Sequence, residues 1–170
     1  MTSIEYSNLY ASFFQKVKAY DLYRDSLDDE ARESLLKGYL HSAFSNPQVR
    51  RLFAQLEFDD TLDIVTYEMN TQTSNDDASL DEWFVAEVIG YGMALAWITP
   101  QVNSLTNIAQ MFSTSDAKFY SQASHVEELR NLRDDLEIAF RKLLSDNSSI
   151  NNRYLRGNCE SANLKSVDND

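Results

Sequence analysis

Residues 79–115, SLDEWFVAEVIGYGMALAWITPQVNSLTNIAQMFSTS, decide the fold. Ser79 with Glu82 three positions on forms a helix-start pair, and Pro100 disfavours helical geometry at the residue before it, so the spacing predicts helix three from there to Thr99. Its apolar run, Trp83 to Ile98, holds Glu87 and spans about sixteen residues, short of the roughly 20 that a bilayer requires. That predicts a buried core helix, with Trp83 and Trp97 packed into it rather than lining a ligand pocket. Gly90 and Gly92 each cost about 1 kcal/mol against alanine in a helix, which points to close packing of another backbone. Residues 101–115 carry no charge in a chain of formal net charge -12. Such a link is expected to be buried against protein, either as a subunit contact or as an intramolecular crossover packed on its own core.

Upstream, apolar residues at spacings of three and four from Ile4 to Tyr20, among them Leu9, Phe13 and Val17, predict helix one. Ser26 with Asp29 marks a second helix start, and Leu36, Leu40 and Phe44 carry its apolar face to an end near Asn46 and Pro47. Leu52, Ala54, Leu56 and Phe58 alternate with Phe53, Gln55 and Glu57 as a half-buried strand would. With a turn at Asp59 and Asp60 and a second strand over Leu62 to Met69, this reads as a short β-hairpin between helices two and three, a helical continuation being the alternative. The polar run TQTSNDDAS reads as an exposed loop.

Downstream, Ser115 or Asp116 is expected to cap a long fourth helix, with Phe119, Val126, Leu136 and Phe140 on its apolar stripe and Glu137 placed to pair with Arg141. From Asp146 the composition turns to Asn, Ser and Asp. The expected class is therefore mainly α, a helical bundle of about four helices, with a helical domain over 1–145 and an extended polar C-terminal tail over 146–170. That tail has too little apolar area to order alone, and Tyr154 and Leu155 are its expected anchors on a partner.

A chain of 170 residues with Gly 4 and Pro 2 suits one helix-rich domain. Its Lys and Arg total only 15 and are scattered, against 27 acidic residues, so wrapping a phosphate backbone is disfavoured. Cys159 is the single cysteine, which suits a reducing compartment, and MTSIEYSNLY lacks the pattern of a signal peptide. His41 and His125 are isolated, so no metal site is expected, and no glycine-rich phosphate loop or cofactor motif occurs. Adjacent carboxylates such as Asp28 and Asp29, Asp59 and Asp60, or Asp134 and Asp135 read as helix starts, turns and solvated faces rather than catalytic pairs. No enzymatic activity is expected.

Two stretches, GYLHSAFSNP and EVIGYGMALAWITPQVNSLTNIAQMFSTSDAKFYSQASHVEELRNLRDDLE, resemble the head-to-tail connector adaptor proteins of tailed bacteriophages. The likeness is an aromatic helix followed by Pro and an Asn-containing link, leading into a Lys-Phe-x-Ser-Gln-Ala-x-His helix start. Here those positions are Trp97, Pro100, Asn103, Asn107, Lys118, Phe119, Ser121, Gln122, Ala123 and His125. The resemblance runs from residue 4 to about 145 and does not extend to the polar loop after Met69 or to the Asn-rich tail.

It implies a virion structural protein at the head–tail interface, assembled in the host cytoplasm. Such adaptors form a homo-oligomeric ring, usually twelvefold, beneath the portal protein, and join it to the next neck or tail component. The genome would pass through without specific binding, and neither membrane nor cofactor is implied. Asn103, Asn107, Phe119, Gln122, His125, Tyr154 and Leu155 are the interface residues this reading selects. Ser121, Gln122 and His125 share a helical face that would either bond the uncharged link or stand solvated. At least one of the acidic segments Asp25 to Glu33 and Asn75 to Glu82 would contribute to the lumen or to the face meeting the next ring, the alternative being that they serve solubility alone. The alternative is a helical protein-binding regulatory module without catalytic activity.

Overall fold

The computed structural model describes residues 1–17, 28–70, 74, 78–111 and 118–150, giving the backbone alone at 105–111, 118–125 and 149–150. Of the residues described with their side chains 74% are helical, in five helices, and a small three-stranded antiparallel sheet completes the fold, which makes the class mainly α.

The order is β1 (Thr2–Glu5), α1 (Tyr6–Lys16), α2 (Asp29–Ser45), α3 (Pro47–Arg50), β2 (Phe53–Asp59), β3 (Ile64–Met69), α4 (Ala78–Met111) and α5 (Lys118–Ile150). Helix α4 is the hub, packed on by α1, α2 and α5. Its inward side, Val85, Val88, Ile89, Met93, Ala94 and Ile98, is fully buried. Burial of such side chains is worth roughly 1.5–3 kcal/mol each, the main force holding the helices to α4.

Both glycines of α4 are close-approach points. A Cβ built on Gly90 would lie 2.9 Å from Ser12 Cβ and 3.0 Å from its carbonyl carbon, and one on Gly92 would lie 2.8 Å from Ala43 Cβ. Gly90 therefore seats α1 and Gly92 seats α2, as the cost of glycine in a helix suggested.

The expected hairpin is present, but its inward face differs. Its register passes from Phe53↔Met69 to Gln55↔Glu68, so Ala54 is the extra residue of a bulge. This turns Phe53 inward against Phe44 and Tyr67 and leaves Ala54 exposed. The turn is held by Asp59 Oδ1, which accepts from the amides of Thr61 and Leu62, both at 3.0 Å. Asp63 closes it at φ 55, in the left-handed region that Asp tolerates better than most residues.

Several sequence expectations are corrected. Helix one does not begin at Ile4. Residues Thr2–Glu5 form a third strand on β3, order β1-β3-β2, with Ile4 opposite Val65. The Tyr6 amide donates to Asp63 O at 2.8 Å, a long-range bond that local periodicity cannot reveal. The helix ends at Lys16, with Val17 already extended. For α2, Asp28 is the N-cap, its Oδ1 accepting from the Ala31 amide at 2.7 Å, and Ser26 lies outside the described residues.

Pro100 does not end the third long helix. The apolar stripe continues past it through buried Val102, while Pro100 itself is exposed, and the chain stays helical to Met111. Side chains on either side add bonds to the carbonyls flanking that of Ala96, which loses its donor: Thr99 Oγ1 donates to Leu95 O at 2.7 Å and Gln101 Nε2 to Trp97 O at 3.3 Å. The supposed link from Gln101 is therefore helical as far as Met111. With Pro100 inside the helix, Ala78–Ser104 is also long and apolar enough to cross a bilayer by length and composition; 56% of an apolar 18-residue stretch of it is buried inside the fold.

Ser79 lies within α4 rather than before it, because the helix already begins at Ala78. Trp83 is 70% exposed and so is no part of the core, unlike Trp97 at 7%. Helix α5 passes the expected boundary at 146 and runs to Ile150, with Asn147 buried, so the first five residues of the polar segment are helix. The expected caps Ser115 and Asp116, and residues 151–170, lie outside the described residues.

Candidate functional site

The residues singled out from the sequence fall into two groups. Asn103 and Asn107 both sit on the last turns of α4 rather than on a link, and Asn103 is exposed. Phe119, Gln122 and His125 lie in the first turns of α5, where the sequence put them, but the side chains of these three and of Asn107 lie outside the described residues. The same holds for Tyr154 and Leu155 as whole residues.

The structure assembles two polar constellations that the sequence did not reveal. The first gathers around the hairpin turn. Tyr6, from the start of α1, donates its hydroxyl to Asp60 Oδ1 at 2.5 Å. His41 of α2 approaches both oxygens of the same carboxylate through Nε2, at 3.1 and 3.2 Å. Lys37, one turn earlier, lies 2.9 Å from Glu33 and 2.9 Å from Asp63 and donates to Asp60 O at 3.1 Å. The His41 ring also meets Phe58 at 4.8 Å between centroids.

The electrostatics of this cluster are those of a clamp. Burial, then the hydrogen bond to Asp60, push the Tyr6 phenol far above its ordinary range. The same hydroxyl, with His41 and Lys37 adding to it, holds Asp60 below the ordinary carboxylate range. Burial pushes Tyr10 up to about 12, against the opposing pull of Lys37. Lys37 is itself raised by its bonds to Asp63 and Glu33. Tyr6, Tyr10 and Lys37 thus stay protonated and Asp60 stays ionised across neutral pH. General acid–base work needs a group titrating near the operating pH, so these shifts suit fastening of the turn to α1 and α2.

On α1, a second fastening pairs Lys16 Nζ with Glu87 Oε2 at 2.8 Å, the lysine being buried and lying 4.5 Å over the Tyr91 ring. Ser12 donates to the other oxygen of Glu87 at 3.3 Å.

The second constellation is a groove where the end of α2 and the single turn α3 meet α4 and α5. One end, of about 370 Å³, is lined by Ser42, Ala43, Asn46, Gly92 and Ala96. It shares Asn46, Leu95 and Thr99 with a middle section of about 740 Å³ that reaches Arg133, Glu137, Phe140 and Arg141. The middle shares Gln48 and Arg141 with an outer section of about 540 Å³ that takes in Arg51, Ser145 and Ser148. Arg133 is held by Asp134 at 2.7 Å, and Arg141 by Glu137, the pair that the sequence spacing predicted. Among the described residues Arg51 has no carboxylate partner.

Neither constellation was legible beforehand, because their members lie far apart in the chain, Tyr6 from Asp60 by 54 positions and Ser42 from Ser148 by still more. The signals available were the Asp59 and Asp60 turn and the adjacent Arg50 and Arg51, each of which has an ordinary surface explanation on its own. Among the described residues no group of three or more His, Cys, Asp or Glu is placed to hold a metal ion. Compared with known proteins, the chain matches no family model, no curated protein and no solved structure.

Proposed function

We propose that this chain is a head-to-tail connector adaptor of a tailed bacteriophage, a non-catalytic virion protein that forms a ring beneath the portal and receives the next neck or tail component. In this reading α1, α2, α4 and α5 make up a four-helix body that the sheet braces at one side, and residues 151–170 form the extended tail that orders on a partner.

The observation that supports the reading best joins the two stretches that resemble the adaptor family. GYLHSAFSNP lies on α2 and the following turn, EVIGYGMALAW lies on α4, and they meet where Gly92 accepts Ala43 at a distance that excludes any side chain. The resembling residues thus build the close approach of α2 to α4. An acidic body and exposed Trp83 and Leu80 at the start of α4 are compatible with a part whose surface is covered in an assembly.

The test is to purify the chain with its portal and image the complex by electron microscopy. A ring of this chain docked on the portal is the expected result. A chain that keeps the mass of a single subunit in the presence of portal, and is missing from the neck of virions, would favour the regulatory-module reading.

A further inference from the structure

Helix α2 separates an acidic surface at its own start from arginines of α3 and α5 that stand near its finish. Asp28, Asp29 and Glu30 stand exposed at its start, and the groove with exposed Arg51 and Arg141 opens at its finish. With 17 residues the helix is about 25 Å long, so these two regions of one chain are held too far apart to touch. That distance is roughly three times the screening length of about 8 Å at physiological salt, and their attraction within one molecule is negligible. Two copies can satisfy it.

We infer that the groove between α3, α4 and α5 receives the acidic start of α2 from a second copy of this chain, with Arg51 and Arg141 facing Asp29 and Glu30. The inference rests on the ring reading and supplies its subunit contact. Small and apolar side chains of the lining, Ala43, Gly92, Leu95 and Phe140, leave room for the close approach of a neighbouring helix end, and the one carboxylate of the lining, Glu137, is already taken by Arg141. Among the described residues Arg51 has no carboxylate partner and Glu30 no ion-pair partner, while Asp29 also holds Arg32 and Arg141 also holds Glu137. Because the two surfaces are different patches of one molecule, the contact is heterologous. Repeated from copy to copy, it generates a closed ring or an open filament rather than a two-fold dimer.

The experiment pairs charge reversal with crosslinking. Arg51→Glu with Arg141→Glu should weaken self-association about tenfold or more, and adding Asp29→Lys with Glu30→Lys to the same chain should restore most of it. In a Cys159→Ser background, Glu30→Cys and Gln48→Cys in one chain should give disulfide-linked ladders of subunits, both in solution and on the portal. Portal-docked rings that form without these crosslinks and tolerate the arginine reversals would overturn the inference while leaving the adaptor reading intact. A reversal that spares self-association but abolishes docking to the portal would assign the groove to an acidic segment of the portal instead. With Cys159 retained, an intrachain Gln48→Cys to Cys159 disulfide and no intersubunit one would assign the groove to the chain's own C-terminal segment, again overturning it. Failure of the unaltered chain to self-associate in solution or on portal would remove both readings together.

Discussion

Gly92 and Ala43 are in contact so close that a β-carbon on the glycine would stand 2.8 Å from that of the alanine. Helices α2 and α4 are held at that separation because neither side chain fills the gap. Alanine gains about 1 kcal/mol over glycine in a helix interior, but forcing the packed helices apart costs about 1–3 kcal/mol. Gly92→Ala and Gly90→Ala should therefore both lower stability, the latter through Ser12. Gly38 has nothing within 4 Å, so Gly38→Ala should raise stability by about 0.5–1 kcal/mol. Urea denaturation of the three variants checks this, and equal gains from all three would refute the close-approach account.

The clamp on the hairpin turn predicts a dependence on acid. Asp60 is held below its ordinary range by Tyr6 first, and then by His41 and Lys37. A carboxyl with a depressed folded-state pKa stabilises the fold fully above its unfolded value, ordinarily about 3.8, and loses that contribution as pH falls through the folded value. Asp60→Asn should lose stability at neutral pH and show a flatter decline than the parent as the solution is taken below the ordinary carboxylate range. Urea midpoints measured along an acid series read both effects, and parallel curves would remove Asp60 from the account.

Tyr6 is almost wholly buried and gives its hydroxyl to Asp60. Asp60→Ala orphans that hydroxyl as well as removing the carboxylate, which should cost about 1–3 kcal/mol. Tyr6→Phe in the Asp60→Ala background should cost far less than Tyr6→Phe alone, since the partner is already gone. A double-mutant cycle on thermal unfolding gives the coupling, and strict additivity would contradict it.

Lys16 and Glu87 tie α1 to α4, with the lysine side chain at 8% exposure and the glutamate at 45%. Removing the carboxylate leaves a buried ammonium uncompensated, so Glu87→Ala should cost about 2–4 kcal/mol, less than a fully enclosed pair because water reaches the glutamate. Lys16→Met should be milder, and Lys16→Met with Glu87→Gln milder than Glu87→Ala. Calorimetry on the three proteins orders them, and a harmless Glu87→Ala would show that the lysine finds water instead.

Pro100 lies on the exposed side of α4 within continuous helix. Pro100→Ala returns an amide to the ladder at a position where proline costs about 3 kcal/mol in an uncompensated helix. Pro100 stands on the exposed side, where water can reach the Ala96 carbonyl that it leaves free, so a smaller gain of about 1 kcal/mol is expected, with helicity unchanged by circular dichroism. A marked rise in helicity would mean that the helix stops at Thr99 in solution.

The helices that pack on their own apolar faces were legible in sequence: Leu36, Leu40 and Phe44 on α2, Val126, Leu136 and Phe140 on α5, and, from the run Trp83 to Ile98 on α4, Val85, Val88, Ile89, Met93, Ala94, Trp97 and Ile98 are found buried, though Trp83 is not. Helical periodicity is a local signal, and burial follows it. The glycines were legible for the same reason, since their local cost required a compensating contact. What tertiary structure decided lies where a distant partner outweighs local preference. Ile4 left its helical spacing for a strand because β3 offered backbone bonds, and Pro100 stayed inside α4 because Val102 continued the buried stripe. Tyr6, His41 and Asp60 converged because a bulged hairpin delivered its turn to α1 and α2. The groove likewise exists only once α3, α4 and α5 are brought together, and spacing along the chain carries no record of which elements will meet.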